Sequence, residues 1–178
     1  SILTILAYFI MCGVSYASDV YIEQSGATLT ANINQDGQTN KFGDSTTAVT
    51  LTGDTQTLDI DQVGSTNTIA ASVVGSTQEV TLNQTGSGNT STLSVGGFSS
   101  ADDNSIIQTL TGGSNTTTVN VGNSASSGDA DVDLTVTGDS NTVTINENST
   151  ASMIGDDKKV TSITAIGGSN TITSTHTG

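Results

Sequence analysis

The sequence predicts an all-β fold: a flattened two-sheet parallel β-solenoid of about six coils, 22–29 residues each, stacking into fibres. Three observations carry this expectation. A Gly-x-x-Asn unit recurs six times, the runs between the units alternate apolar and polar with period two, and large apolar side chains are scarce.

Composition limits what can hold the chain together. Its 178 residues suit one domain or one short repeat array. There is no Pro and no Trp, there are three Tyr and three Phe, and Gly numbers 20. So few large apolar groups cannot build a thick core, because their burial is what offsets chain entropy. Disorder would go with few β-branched residues and no periodicity, whereas Thr, Val and Ile abound here in a regular pattern. What remains is a thin β-structure carried by backbone hydrogen bonds and small side chains.

The repeat defines that structure. Gly37/Asn40, Gly64/Asn67, Gly86/Asn89, Gly112/Asn115, Gly138/Asn141 and Gly167/Asn170 are the six units, with glycine spacings of 27, 22, 26, 26 and 29. Sister turns, Gly53-Asp54-Thr55-Gln56 and Gly75-Ser76-Thr77-Gln78, lie between some of them. Through the best-kept region glycines fall at 53, 64, 75, 86 and 97, so the unit is about seven extended residues followed by a four-residue turn. Leu58, Ile60 and Gln62 share one face of their run, with Asp59 and Asp61 on the other. Val80/Leu82/Gln84, Ile69/Ala71/Val73, Leu93/Val95 and Val132/Leu134/Val136 repeat the alternation of a half-buried strand. Glycine at each turn start permits φ > 0, and the closing Asn or Gln bonds nearby backbone. The near absence of two-residue Asn-Gly or Asp-Gly turns argues against hairpins. Identical half-repeats therefore coil, setting Gly on Gly and Asn on Asn in parallel register, with amide ladders along the axis.

Two kinds of segment depart from the repeat. Residues 1–17 read as a secretory signal: Ile2 to Val14 is almost wholly apolar, and Ser15 and Ala17 supply the small residues before a cleavage point at Ser18. Cleavage there and retention as an apolar strand both stay open. Residues 18–178 form the repeat domain. The only cysteine, Cys12, lies in the first segment, so a chain beginning at Ser18 has no disulfide. Later coils carry polar arcs, Gly97 to Ser105, Gly122 to Ala130 and Asn148 to Lys159, of the kind that repeat arrays accept on one face.

At the turns the chain resembles the curlin repeat family, whose pattern is Gln-x-Gly-x-x-Asn in units of about 22 residues. Gln35-Asp36-Gly37-Gln38-Thr39-Asn40, Gln62-Val63-Gly64-Ser65-Thr66-Asn67 and Gln84-Thr85-Gly86-Ser87-Gly88-Asn89 carry the match, which is strongest over residues 31–95. In the last three coils Leu110, Val136 and Ala165 replace the Gln, and the family's second Gln is absent throughout. The resemblance implies a secreted functional-amyloid subunit of a biofilm or cell-surface matrix. Export through an outer-membrane secretion machinery is expected with it, and the unblunted strand runs Val20-Tyr21-Ile22 and Thr171-Ile172-Thr173-Ser174-Thr175 lead to the expectation of a homopolymer growing head to tail through the first and last coils. The structural ladder is expected to run through Gln35, Gln62 and Gln84 together with the six Gly/Asn pairs.

Charge and chemistry exclude other classes. Seventeen acids against three lysines (Lys41, Lys158, Lys159) give a net charge of −14, which repels nucleic-acid phosphates and anionic membranes. Parallel stacking is expected to bring like carboxylates together. No enzyme is expected: the single His176 lies near the last residue, there is no Arg, and Asp59/Asp61 and Asp131/Asp133 sit at solvated i, i+2 positions with little to separate their pKa values. No cofactor is expected. Asp102-Asp103, Asp129/Asp131 and Asp156-Asp157 invite calcium, but no calcium-loop motif surrounds them and solvated turns are the simpler reading. The rival functions are an ice-binding solenoid and a phage or adhesin fibre shaft. Thr-x-Thr pairs recur (Thr28/Thr30, Thr50/Thr52, Thr90/Thr92, Thr116/Thr118, Thr135/Thr137, Thr142/Thr144), but at differing offsets from the turn glycine, so no single flat threonine face is expected.

Overall fold

The structure, a computed structural model, describes residues 6–11, 18–37, 39–44, 46, 48–96, 103–121, 130–148 and 159–177. All of its regular elements are strands, and they form two parallel sheets. The first sheet runs β1 (Leu6–Met11), β4 (Thr28–Asp36), β7 (Thr55–Val63), β9 (Thr77–Thr85), β11 (Asp103–Thr111), β13 (Ala130–Thr137) and β15 (Lys159–Ile166). The second begins with β2 (Ser18–Val20) and β3 (Glu23–Ser25), which pair with β5 (Thr39–Phe42) and β6 (Val49–Thr52). It continues through β8 (Thr66–Val74), β10 (Gly88–Gly96), β12 (Ser114–Val121), β14 (Ser140–Asn148) and β16 (Ser169–Thr177). From β4 onward the chain alternates between the sheets, giving six coils of a flattened solenoid with β1 to β3 ahead of them. The expected fold class is what forms.

The alternation in the sequence becomes the inside and outside of each strand. Leu58, Ile60 and Gln62 of β7 are buried, while Asp59 and Asp61 between them are not. Val80 and Leu82 repeat this in β9, Leu93 and Val95 in β10, and Val132, Leu134 and Val136 in β13. These side chains meet between the sheets in one continuous apolar cluster that runs from Leu29 to Ile145. At roughly 25 cal/mol per Å² of apolar surface removed from water, that thin seam supplies the collapse energy, and the ladder bonds supply direction.

Register is kept across repeats of unequal length because the surplus residues are looped out. β5 pairs with β8 at an offset of 27 residues (Thr39 with Thr66), but β6 pairs with the same strand at 22 (Val49 with Ala71). The difference is the short excursion 43–48, which begins at Gly43 in a left-handed conformation (φ 67°). There Asp44 accepts hydrogen bonds from the Thr46 N–H (2.8 Å) and Oγ1 (2.6 Å). The polar arcs 97–102, 122–129 and 149–158 lie outside the described residues, yet the strands on either side of them stay in register. In the segment expected to be a secretory signal, β1 pairs with β4 from Leu6/Thr30 to Met11/Gln35, while residues 1–5 and 12–17 lie outside the described residues.

The corner glycines are required for a different reason than their turn position suggests. Among the described glycines only Gly43 and Gly167 have positive φ, so conformational freedom is not the common factor. Space is. A Cβ at Gly64 would strike the carbonyl oxygen of Gly37 in the coil before it, and one at Gly86 would strike that of Gly64. The same collision recurs at Gly112, Gly138 and Gly167, and at the opposite corner at Gly53 and Gly75. Gly88, whose added Cβ would meet nothing nearer than the Ser114 oxygen at 3.6 Å, is free of it. Gly86→Ala is therefore expected to lower the urea midpoint strongly or prevent folding, and Gly88→Ala to change it little. Equal midpoints would show that the corners can open to admit a methyl group.

Candidate functional site

Each Gly-x-x-Asn corner is a bonding station between coils. The Gly86 N–H donates to the Thr111 carbonyl of the next coil at 2.8 Å. The Asn89 amide donates to that same carbonyl at 3.0 Å and to the Asn115 Oδ1 at 2.9 Å. One carbonyl oxygen thus uses both lone pairs, and one side chain ties two coils together. The pattern runs unbroken through Asn40, Asn67, Asn89, Asn115, Asn141 and Asn170, with amide-to-amide distances of 3.4, 3.2, 2.9, 2.9 and 2.7 Å. All but Asn170 are buried. The ladder has a direction: in every amide-to-amide bond the Nδ2 donates to the Oδ1 of the later coil, and the amides of Asn40 and Asn141 also donate to the Gln35 and Gly138 carbonyls of their own coils. It starts at the Asn40 Oδ1, buried without a partner next to β2, and finishes at the exposed Asn170, whose amide donates to the Ala165 and Gly167 carbonyls of its own coil at 3.4 Å each.

The glutamines form a second, shorter ladder of opposite sense. Gln62 donates to the Gln35 Oε1 at 2.7 Å and Gln84 to the Gln62 Oε1 at 2.9 Å. Each also bonds across the corner to a backbone carbonyl of its own coil: Gln35 to Lys41, Gln62 to Thr68 and Gln84 to Thr90. Leu110 ends this ladder by taking the next place, which leaves the Gln84 Oε1 buried and unpartnered. Val136 and Ala165 continue the column without polar groups. The expected ladder residues are thus brought together, in two columns rather than one. Sequence reasoning missed a third column at the opposite corner, where Gln56, Gln78 and Asn104 stack with both polar side-chain atoms of each buried and without a hydrogen-bond partner. The sister turns ending in Gln56 and Gln78 were its only signal. It also missed the buried bond from the Thr117 Oγ1 to the Gln108 Oε1, 2.9 Å long, inside the fourth coil.

The two outer faces differ in charge. The outward positions of the first sheet include Asp59, Asp61, Glu79, Asp131 and Asp133. Carboxylates of neighbouring coils come near one another, but among the described residues none pairs directly with another on the same rung. Asp59 pairs with Asn32 and Thr81, Asp61 with Asn34 and Asn83, and Asp133 with Ile107 and Ser162. The Asn83 amide donates to Asp61 at 2.8 Å. Neutral neighbours at each rung keep repulsion diagonal, where it is weaker. Partial burial, then the charges of Asp61 and Glu79, still raise the Asp59 pKa above its ordinary value.

Outward charge on the second sheet stands at its early strands, as Asp19, Glu23 and Lys41; between the corners from β8 to β16 the outward face is uncharged and rich in threonine, and here the structure revises a sequence expectation. Thr68, Thr90, Thr116, Thr142 and Thr171 stack in one column; Thr92, Thr118, Thr144 and Thr173 stack in the next. The pairs that begin four residues after a corner glycine therefore share one face. Of the remaining pairs, Thr28/Thr30 and Thr135/Thr137 belong to the other sheet, and Thr50/Thr52 lies on this one but beside Ser72 and Val74, outside the two columns. At one end of this face Asp44 and Ala48, with Lys41, Thr68, Thr90 and Thr92 among others, line a groove of about 620 Å³.

Among the described residues no group of three or more His, Cys, Asp and Glu could hold a metal ion, and no helix is long and apolar enough to cross a membrane. Asp102, Asp129, Asp156 and Asp157 lie outside those residues. Comparison of the chain with protein-family models, with curated proteins and with solved structures gives no match.

Two measurements check this geometry. Asn89→Ala removes a buried amide and strands its acceptors, at about 1–3 kcal/mol for a buried unmet group. It should lower the unfolding midpoint clearly, whereas Asn170→Ala at the exposed end should barely move it; equal effects would mean the ladder adds nothing to stability. For pH, a folded-state pKa raised above the unfolded value makes protonation favour the fold. The Asp59 contribution is thus fully present below the unfolded carboxylate pKa of about 4 and is lost as pH rises through the raised value. Stability should fall over that interval in the wild type and fall less in Asp59→Asn; an unchanged slope would remove Asp59 from the account.

Proposed function

We propose that the chain is a structural subunit of a secreted extracellular fibre, a functional amyloid of the curlin type that assembles end to end. The observation that carries this reading is the self-similarity of the coil interface. Every junction from Asn40 to Asn170 uses the same parallel ladder, the same Gly N–H and the same amide, so each coil is a template for another coil. Such an interface makes no distinction between the next coil of the same chain and one from a second copy.

The edges and their polarity support the reading. At the last described coil Ile166 and Ile172 are 58% and 48% exposed, although the matching residue before Ile172, Val143, is fully buried. Among the described residues the outer edges of β15 and β16 are unpaired, and neither strand contains a proline. Soluble β-proteins usually blunt such edges with proline, charge or a covering element. A head-to-tail contact would join the exposed β15/β16 edge of the last described coil to the leading strands β1 to β3 of a second copy. The Gln-x-Gly-x-x-Asn turns and the apolar N-terminal segment fit export and matrix assembly at the cell surface, in a structural rather than catalytic role.

Purified protein should form unbranched fibres with a repeat of about 4.8 Å along the axis. Ile172→Pro combined with Thr173→Lys should give a folded monomer that fails to elongate. If that variant still forms fibres at the wild-type rate, the growing contact lies away from β16.

A further inference from the structure

The two threonine columns make the outer face of the second sheet a regular two-dimensional array. Parallel strands repeat every ~4.8 Å across the face, and alternate residues every ~6.6 Å along it. The pairing of β10, β12, β14 and β16 continues without a bulge across the ranks that carry the threonines. A β-branched side chain is stiff at χ1, so each threonine holds its hydroxyl and methyl with little rotamer entropy left to lose on binding. In a chain of net charge −14, the outward positions from Thr66 to Val74, Thr90 to Ser94, Ser114 to Asn120, Ser140 to Asn146 and Ser169 to Thr175 include no charged residue.

A face of this kind selects its ligand by periodicity. One ion or one sugar would use a single rung and gain nothing from the others. An extended peptide or a nucleic acid repeats along one direction only, and a phosphate backbone would also meet the chain's negative field. A crystalline polysaccharide repeats in two dimensions, but sugar rings are gripped by aromatic faces, and these outward positions hold none. Crystalline water offers oxygens in a two-dimensional lattice and no charge. It can use hydroxyls that anchor ordered water, and methyl groups that fill the gaps between. Each contact is weak, so affinity has to accumulate over ranks that are rigid and in register.

We infer that this threonine face binds the surface of ice. The inference needs only the folded coil stack and stands independently of fibre assembly. The competing occupant is a second copy of the chain, since neutral faces can approach one another where acidic faces repel.

The test uses the full chain at matched concentrations, with thermal hysteresis and ice-recrystallisation inhibition as readouts. Circular dichroism verifies the fold, and sedimentation follows association. The wild type should open a hysteresis gap and keep ice grains small. Thr116→Lys combined with Thr142→Lys should lose most of both effects with the fold retained, and Thr135→Lys, on the outward face of the first sheet, should keep them. A folded wild type without either effect overturns the inference, as does an equal loss in Thr135→Lys. So does a threonine-face variant that changes association between copies but leaves ice growth as it was, which would assign the face to a second copy.

Discussion

At the corners backbone approaches backbone too closely for a side chain, and the rest of the architecture follows from that constraint. One strand spacing separates successive coils, so a corner residue sits directly on the carbonyl of the corner before it. At Gly64, Gly86, Gly112 and Gly138 that leaves no room for a Cβ. Glycine here is a statement about volume rather than about φ. Because the corners cannot slide without collision, the strands between them are locked in register, and every side-chain column inherits that lock.

The locked register explains how the polar interior is tolerated. A buried amide is costly unless its hydrogen bonds are met. The Asn column meets them by repetition, each amide bonding both the next amide and the carbonyl beside it. The Gln column does the same for three coils and then gives way to Leu110, Val136 and Ala165, which pack without needing partners. Either solution is stable; what is costly is the switch, seen in the unmet oxygen of Gln84. The Gln56, Gln78 and Asn104 column has no such self-bonding, which makes the second corner the less satisfied edge of the interior.

The outside divides into two surfaces of different chemistry. Carboxylates collect on the first sheet, spaced by neutral residues on the same rung, while the second sheet from β8 to β16 presents mainly threonine, serine and asparagine. Repulsion among carboxylates is thus confined to the first sheet, while the threonine columns of the second sheet present a repeating array without it.

Much of this was legible in the residues alone. Period-two alternation in Leu58-Asp59-Ile60-Asp61-Gln62 decides which side chains go in, because a strand turns each successive residue to the opposite face. The evenly spaced glycines and their partner asparagines determine coiling and the Asn ladder, since only coaxial stacking satisfies six identical corners at once. Three features were decided by tertiary structure. Which strands share a sheet settles the threonine columns: offsets counted along the chain mixed Thr135/Thr137 of one sheet with Thr142/Thr144 of the other. Which residues fall on the same rung settles the charge pattern, because Asp59 meets Asn32 and Thr81 only after a 27-residue and a 22-residue return. And the volume left between corners, which no single turn reveals, settles why glycine stands there. Local sequence encodes the face and the turn, but coincidence between coils is a property of the closed stack, set by loop lengths and backbone contact.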